Sequence, residues 1–254
     1  MNIVFIGAGN VATHLAIAYK AMGADIVQVW SKDYRNAEIL AALTKATPLK
    51  CWEDLDQTAD CYIIAVKDDA IPEVASHLVD VRGIVVHTSG ATPIDVLRGA
   101  GTGYGVLYPL QTFSKSKAVD LKSVPFCIEG NTIETLEKIA ALAHLLSESV
   151  AEVSSEQRKV LHLAAVFACN FTNHLYHLSS EILQQHDLKF DLLKPLILET
   201  AQKIQTAPPV SVQTGPAVRN DLSTMGKHLA LLNGSPQLQE IYHLLSDSIK
   251  RTHL

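Results

Sequence analysis

The residues best placed to do chemistry fall into two groups, far apart in the chain. The first is Gly7-Ala8-Gly9-Asn10-Val11-Ala12, which follows the apolar run Ile3 to Ile6 and leads into a helix-like stretch, Val11 to Met22, that Gly23 stops. Gly7 can take a turn conformation that a side chain resists, and Gly9 leaves no Cβ between the backbone and an approaching anion. The helix N-terminus then offers free amide donors and the positive end of its dipole. Strand, glycine turn and helix in this order form a pyrophosphate cradle for a dinucleotide, with Ala12 in the third glycine position. A tight turn without a ligand is the alternative.

The second group is His162, Asn170, Asn173, His174 and His177. On a straight α-helix at 100° per residue they share one sector of about 120°. The rest of the circumference is Leu, Ala, Phe and Cys. A solvated stripe would be Lys and Glu. Asn and His on a mostly buried helix need hydrogen-bond partners, which a polar ligand in a cleft would supply. A buried structural network or a polar subunit seam is the other reading. Near a nicotinamide ring such groups orient a carbonyl or deliver a proton. Asn170 is the expected substrate-positioning residue, and His174 and His162 are the expected proton donors. A third stretch, Gln213-Thr-Gly-Pro-Ala-Val-Arg219-Asn-Asp221, offers Arg219 as a bidentate clamp for a substrate carboxylate. Arg219 can equally pair with Asp221, or the segment can simply cap the next helix.

The elements that must position these groups follow from the apolar pattern. Asp25–Trp30 reads as a second strand. Where an acidic residue would hold the ribose hydroxyls of NAD, this chain has Ser31 and Lys32, with Arg35 a turn later. That patch predicts NADP, by accepting a 2′-phosphate that a carboxylate would repel; Asp33 supports the reading that Lys32 and Arg35 are solvated charges only. Ala37–Thr44 is a helix. Cys61–Val66 and Gly83–His87 are continuous apolar strands of the kind buried on both faces of a parallel sheet. Their C-terminal ends, Ala65, Val66 and Lys67 after the first and Thr88 and Ser89 after the second, should face the crevice that the glycine turn opens. Ile71-Pro72 opens a helix. Val106–Tyr108 and Pro125–Ile128 read as two more strands, separated by the polar loop 112–122.

From Thr132 onward the pattern is helical, with no convincing strand. The predicted helices are Ile133–Leu146, one from Ser154 or Ser155 to about His177, then Leu178–His186, Asp191–Thr206, Asn220–Leu232 and Pro236–Thr252. Alternating strands and helices followed by helices alone give the fold class: an α/β, doubly wound parallel sheet over residues 1–150, then an all-α domain over residues 151–254.

The chain has 254 residues, a formal charge of −5 and 48% hydrophobic residues, which fit a globular protein with a real core and give no basic footprint for nucleic acid. The four cysteines are widely spaced in apolar contexts and read as free thiols of a reducing cytosol; no Cys or His spacing suggests a metal. No apolar run predicts a signal peptide or a membrane span. A cytoplasmic location is expected.

Four motifs in order carry a resemblance: Gly-Ala-Gly-Asn-Val-Ala, His87-Thr-Ser-Gly-Ala91, Tyr108-Pro-Leu-Gln-Thr-Phe113 and Gly215-Pro-Ala-Val-Arg219-Asn-Asp221. The chain resembles, over nearly its whole length, a bacterial family of Rossmann-type, NADP-dependent oxidoreductases with a C-terminal helical domain of unknown function. That family is similar to pyrroline-5-carboxylate reductase, ketopantoate reductase and the 3-hydroxyacid dehydrogenases, and its helical domain to that of 6-phosphogluconate dehydrogenase. The resemblance implies an NADP-binding domain, a helical domain for substrate and dimerisation, and a homodimer. Two positions depart from it. Tyr108 stands where the family motif has His. Val166 stands where the dehydrogenase relatives have a Lys four residues before Asn170, so their acid–base chemistry does not carry over.

The resulting expectation is hydride transfer between NADP(H) and a small polar C=O or C=N substrate in the interdomain cleft, with Gln111 and Arg219 orienting that substrate. An NADP-binding sensor without turnover is the rival, favoured by the missing Lys. A deazaflavin system is a third reading, with nothing in the residues specific to it.

Overall fold

The computed structural model describes residues 1–253. Eight strands form one sheet: β1 (Asn2–Ile6), β2 (Asp25–Trp30), β3 (Thr47–Leu49), β4 (Cys61–Ile64), β5 (Ile84–His87), β6 (Gly103–Pro109), β7 (Phe126–Gly130) and β8 (Val150–Glu152). Their spatial order is β3-β2-β1-β4-β5-β6-β7-β8. Only β7 against β6 is antiparallel. The order reverses between β1 and β4, so the crevice of this doubly wound sheet lies beyond the C-terminal ends of those two strands. β6 runs parallel to β5, which brings Tyr108 and Pro109 to the same edge.

Both faces of the sheet are covered, which is why its strands read as unbroken apolar runs. Ile3 and Phe5 point to one face, where they pack under α1 (Asn10–Ala21), α2 (Tyr34–Thr44) and, further along, α4 (Ile133–His144). Val4 and Ile6 point to the other, beneath α3 (Ile71–Ala75) and the turns around Leu78 and Leu97.

Two strands depart from the sequence expectation. β3 and β8 are three-residue edge strands, and β8 lies inside the stretch expected to be helical throughout. Its pairing with β7 comes from the sheet edge and not from any apolar alternation of its own. Helix α5 (Ser155–Ala165), started by a capping box of Ser154 and Gln157, passes into a π-helical turn over Val166–Phe171 and on into α6 (Thr172–Gln184). The chain divides into compact units Met1–Cys169 and Asn170–Leu254, later than the expected boundary near 150, because α5 is tied to the sheet by Arg158.

The second unit contains α6, α7 (Lys194–Lys203), α8 (Leu222–Leu231) and α9 (Pro236–His253). The expected helix over 191–206 is split, with a 3-10 turn at Phe190–Leu193 before Pro195 opens α7. α8 starts at Leu222 because Asn220 takes φ 51° and the Asp221 carboxylate caps the helix, accepting from the Thr224 amide. Among the described residues no helix is long and apolar enough to cross a membrane. Cys61 and Cys127 are buried, whereas Cys51 and Cys169 are exposed, against the expectation of apolar surroundings for all four.

Candidate functional site

The glycine turn is held by the strand ends around it. Gly7 has φ +122°, and a Cβ there would lie 2.2 Å from the Ala65 carbonyl oxygen, so a glycine is required by both conformation and space. Gly9 is different: nothing lies within 4 Å of where its Cβ would be. α1 starts behind it with no side-chain cap and no acidic residue in its first turn, which leaves its first amides free for an anion. Open space, free donors and positive dipole together fit a diphosphate. Ala8, Asn10 and Val11 belong to this turn, although the Asn10 side-chain Nδ2 is committed to the Phe113 carbonyl, to which it donates at 2.9 Å.

Around this centre the structure collects the other expected cofactor residues of the first unit. The Gly7 amide donates to the Trp30 carbonyl, the Ala65 amide to Ile6 and the Thr88 amide to Ile64, so the segments Ser31–Arg35, Ala65–Lys67 and Thr88–Ser89 all leave the sheet at one edge. Asp33 caps α2 by accepting from the Arg35 amide at 3.1 Å. Its carboxylate therefore serves its own helix, while Lys32 and Arg35 are exposed beside it. The Ser89 hydroxyl is used internally: it accepts from the Ala91 and Thr92 amides. Gln111 is exposed, and its side-chain carbonyl accepts from the Thr112 amide.

The same edge carries a polar pair. Tyr108 Oη and His162 Nδ1 are 3.2 Å apart, both half-buried, one from β6 and one from α5. They lie directly on Gly90, where a Cβ would come within 2.7 Å of His162 Nδ1 and 2.8 Å of Tyr108 Cζ. The Thr-Ser-Gly loop thus ends in glycine because two rings occupy the side-chain space. Tyr108 has its pKa raised above the usual tyrosine value, first by burial and then by Cys127; Arg158 pulls it down and Asp68 pushes it up. The phenol is consequently protonated at neutral pH and able to donate.

A fully buried arginine, unmarked in the sequence pattern, fixes this arrangement. Arg158 donates from Nε to the Ser89 carbonyl (3.2 Å), from Nη1 to Glu129 Oε2 (2.7 Å) and from Nη2 to the Thr92 carbonyl (2.6 Å). Ser155 completes the network, donating to Glu129 Oε2 at 2.7 Å. The loop after β5 and the start of α5 are therefore locked together, four residues before His162.

His87, at the end of β5, is a second buried polar group. Its Nδ1 accepts from the Ser89 amide, so the neutral ring carries its proton on Nε2, which is buried and, among the described residues, makes no hydrogen bond of normal geometry. Burial and then the Arg158 guanidinium lower its pKa from 6.5 to about 4, the Pro93 backbone opposing them. The folded state thus resists a proton that the unfolded chain takes up. Stability is full above the unfolded pKa and is lost as pH falls through the window from 6.5 to about 4. The loss across that window is roughly 3 kcal/mol. Urea midpoints measured through it should fall, and His87→Gln should flatten that part of the slope; an unchanged slope would refute this role.

The expected polar stripe, which starts at His162 in the first unit and runs on into the second, takes a different form. The π-helical turn at Val166–Phe171 lies between His162 and His174 and breaks the 100° count on which a single sector depended. Phe167 and Leu163 are 63% and 58% exposed, so the helix is not the mostly buried one expected. Asn170 ends up within the π turn. The His174 and His177 rings lie 6.0 Å apart, and His177 Nε2 is 3.4 Å from Glu181. Arg219 lies just before α8, within electrostatic reach of Asp221.

The comparisons with known proteins fit this geometry. Residues 2–89 match the family model described as NADP oxidoreductase coenzyme F420-dependent, and residues 124–249 match Domain of unknown function (DUF2520). No curated protein matches the chain. The crystal structure of a "putative NADP oxidoreductase" from Bacteroides fragilis is 44% identical, covering 98% of both chains with a TM-score of 0.93. A protein from Thermotoga maritima is similar at 22% identity, over 99% of this chain and 98% of that one, with a TM-score of 0.74. An imine reductase from Myxococcus stipitatus in complex with NADP+ shares the fold at 17% identity, over 99% and 92%, with a TM-score of 0.63. The glycine cradle and the near-complete coverage of the Bacteroides protein converge: the chain belongs to a family of Rossmann-type oxidoreductases with a C-terminal helical domain of unknown function, and NADP is its cofactor.

Proposed function

We propose that this protein reduces a small polar C=O or C=N substrate and that Tyr108 and His162 hold the proton the reaction consumes. The single observation behind this reading is the 3.2 Å Tyr108–His162 contact at the strand edge where the cofactor crevice opens. Reduction of such a bond adds hydride to carbon and a proton to the heteroatom, and bound NADPH supplies the hydride. The chain must then supply the proton. With His162 protonated at Nδ1, the imidazole donates to Tyr108 Oη and leaves the phenolic proton free to point at substrate. Transfer of that proton leaves a phenolate, which His162 Nδ1–H stabilises by hydrogen bonding until a proton from solvent restores the phenol. This gives a donor that does not depend on the Lys replaced by Val166. Gln111 is the group of the first unit that we assign to substrate orientation.

A panel of 2-keto acids and cyclic imines, each incubated with NADPH and the purified protein, tests the proposal. Steady consumption of NADPH with at least one member is expected. Tight NADPH binding with no consumption across the panel would favour the sensor reading instead.

Ser31, Lys32 and Arg35 are proposed to hold the 2′-phosphate. Replacing both Lys32 and Arg35 with Ala removes a charge-assisted hydrogen bond at each position. It should weaken NADPH binding by about a hundredfold and leave NADH nearly unchanged. Equal effects on the two nucleotides would refute the assignment.

A homodimer through the helical half is part of the same proposal. In the single chain, Leu192, Leu196, Leu198, Leu231 and Leu244 are all more than half exposed, and the buried side chains of the second unit are limited to a few such as Ala217 and Met225. Four helices with so little core need an apolar partner surface, and a second copy supplies one.

A further inference from the structure

The loop after β6 folds back over the glycine turn. Asn10 Nδ2 donates to the Phe113 carbonyl at 2.9 Å, and His14 Nε2 lies 2.9 Å from the Ser114 carbonyl. A carbonyl can only accept, so His14 carries its proton on Nε2. The His14 and Phe113 rings are 5.1 Å apart, and Phe113 packs against the core. Ser114 and Lys117 close the tip as an antiparallel bridge, with Ser114 Oγ and Ser116 Oγ 2.7 Å apart. The segment is thus a docked strap anchored to the first turns of α1, with a defined tip.

At that tip Lys115 Nζ donates to the Ala8 carbonyl at 2.9 Å. An ammonium has three donors, and a neutral carbonyl answers only one of them. Lys115 is exposed, and no described carboxylate forms an ion pair with it. The charge sits one residue from Gly9, over which there is open space, and beside a helix N-terminus without an acidic residue in its first turn. Two independent sources of positive potential, dipole and ammonium, therefore converge on one gap. A strap held by Asn10, His14 and Phe113 keeps the ammonium there before any ligand arrives, which reduces the cost of ordering a long side chain on binding.

We propose that Lys115 is a ligand of the cofactor's diphosphate, carried to the glycine turn by the strap 113–117, and that it contributes affinity for the diphosphate and none for the 2′-phosphate. This rests on the NADP site described above. The ordinary partner of a glycine turn is backbone amide alone; here a point charge from a distant loop adds to it.

Fluorescence titration with NADPH, NADH and adenosine 2′-phosphate, on the wild-type protein and on Lys115→Ala, reads the assignment. Lys115→Ala should weaken NADPH and NADH by the same factor, about tenfold for one charge-assisted contact, and leave adenosine 2′-phosphate unchanged. Lys115→Arg should retain most of the affinity. Inorganic pyrophosphate should compete with NADH on the wild type and compete less well on Lys115→Ala. Unchanged NADPH and NADH affinities would overturn the proposal. So would an equal reduction for all three ligands, which would mean that the strap only shapes the crevice. A wild-type protein that binds no nucleotide would overturn the NADP reading itself, and is distinguishable from either.

Discussion

Tyr108→Phe is expected to lower kcat by about two to four orders of magnitude, the usual contribution of a positioned general acid, while the dissociation constant for NADPH changes less than about twofold. The change removes one oxygen. It keeps the ring over Gly90 and its packing against the core, so stability should fall by no more than about 1 kcal/mol. The hydroxyl faces His162 Nδ1 at 3.2 Å and has its pKa raised chiefly by burial, so it enters the reaction as a proton source. His162→Gln should give an intermediate reduction, because the phenol can still give up its proton but loses the group that stabilises the resulting phenolate. A Tyr108→Phe protein that retains kcat within about threefold would remove Tyr108 from the chemistry.

Arg158→Met is expected to destabilise the fold by about 3–5 kcal/mol, the penalty for breaking a buried ion pair by removing one partner. The wild-type guanidinium is fully buried, with Glu129 only 18% exposed. Methionine keeps most of the stem's packing but leaves the Glu129 carboxylate and the Ser89 and Thr92 carbonyls without their donor. For a chain of this size the melting temperature should drop by roughly 10 °C. Adding Glu129→Gln should recover part of the stability, because the orphaned charge is then removed as well. Urea denaturation of the single and double variants measures both effects. Because Arg158 ties the loop after β5 to α5, the single variant should also lower kcat more than it raises the KM for NADPH. A destabilisation below about 1 kcal/mol would show that the network is not what holds the loop.

These two residues show how unevenly the molecule can be read in its sequence. The glycine turn, β1, β4 and β5 are legible because a parallel strand buried on both faces must be apolar throughout, and because Gly7 answers a local clash with Ala65. β3 and β8 are three-residue edge strands whose pairing is set by neighbours, so Thr47-Pro-Leu and Val150-Ala-Glu carry no periodic signal. Arg158 sits between Gln157 and Lys159 and looks like part of a solvated helix start; only the fold brings Glu129 to it. Tyr108 and His162 could each be singled out by type, but their contact spans 54 residues and is encoded in sheet order, not spacing. The π turn defeats a count that assumes 100° per residue, and nothing in Val166-Phe-Ala-Cys-Asn-Phe announces it. Lys115 lies in a stretch that reads only as a polar loop, because its partner, the Ala8 carbonyl, is supplied by the fold.

The most direct test of the central claim is a fluorescence titration of the unmodified protein with NADPH and, separately, with NADH. The account predicts saturable binding of both, with NADPH tighter by one to two orders of magnitude through about two charge-assisted contacts at Ser31, Lys32 and Arg35. Binding of neither nucleotide, or equal affinity for the two, would contradict it.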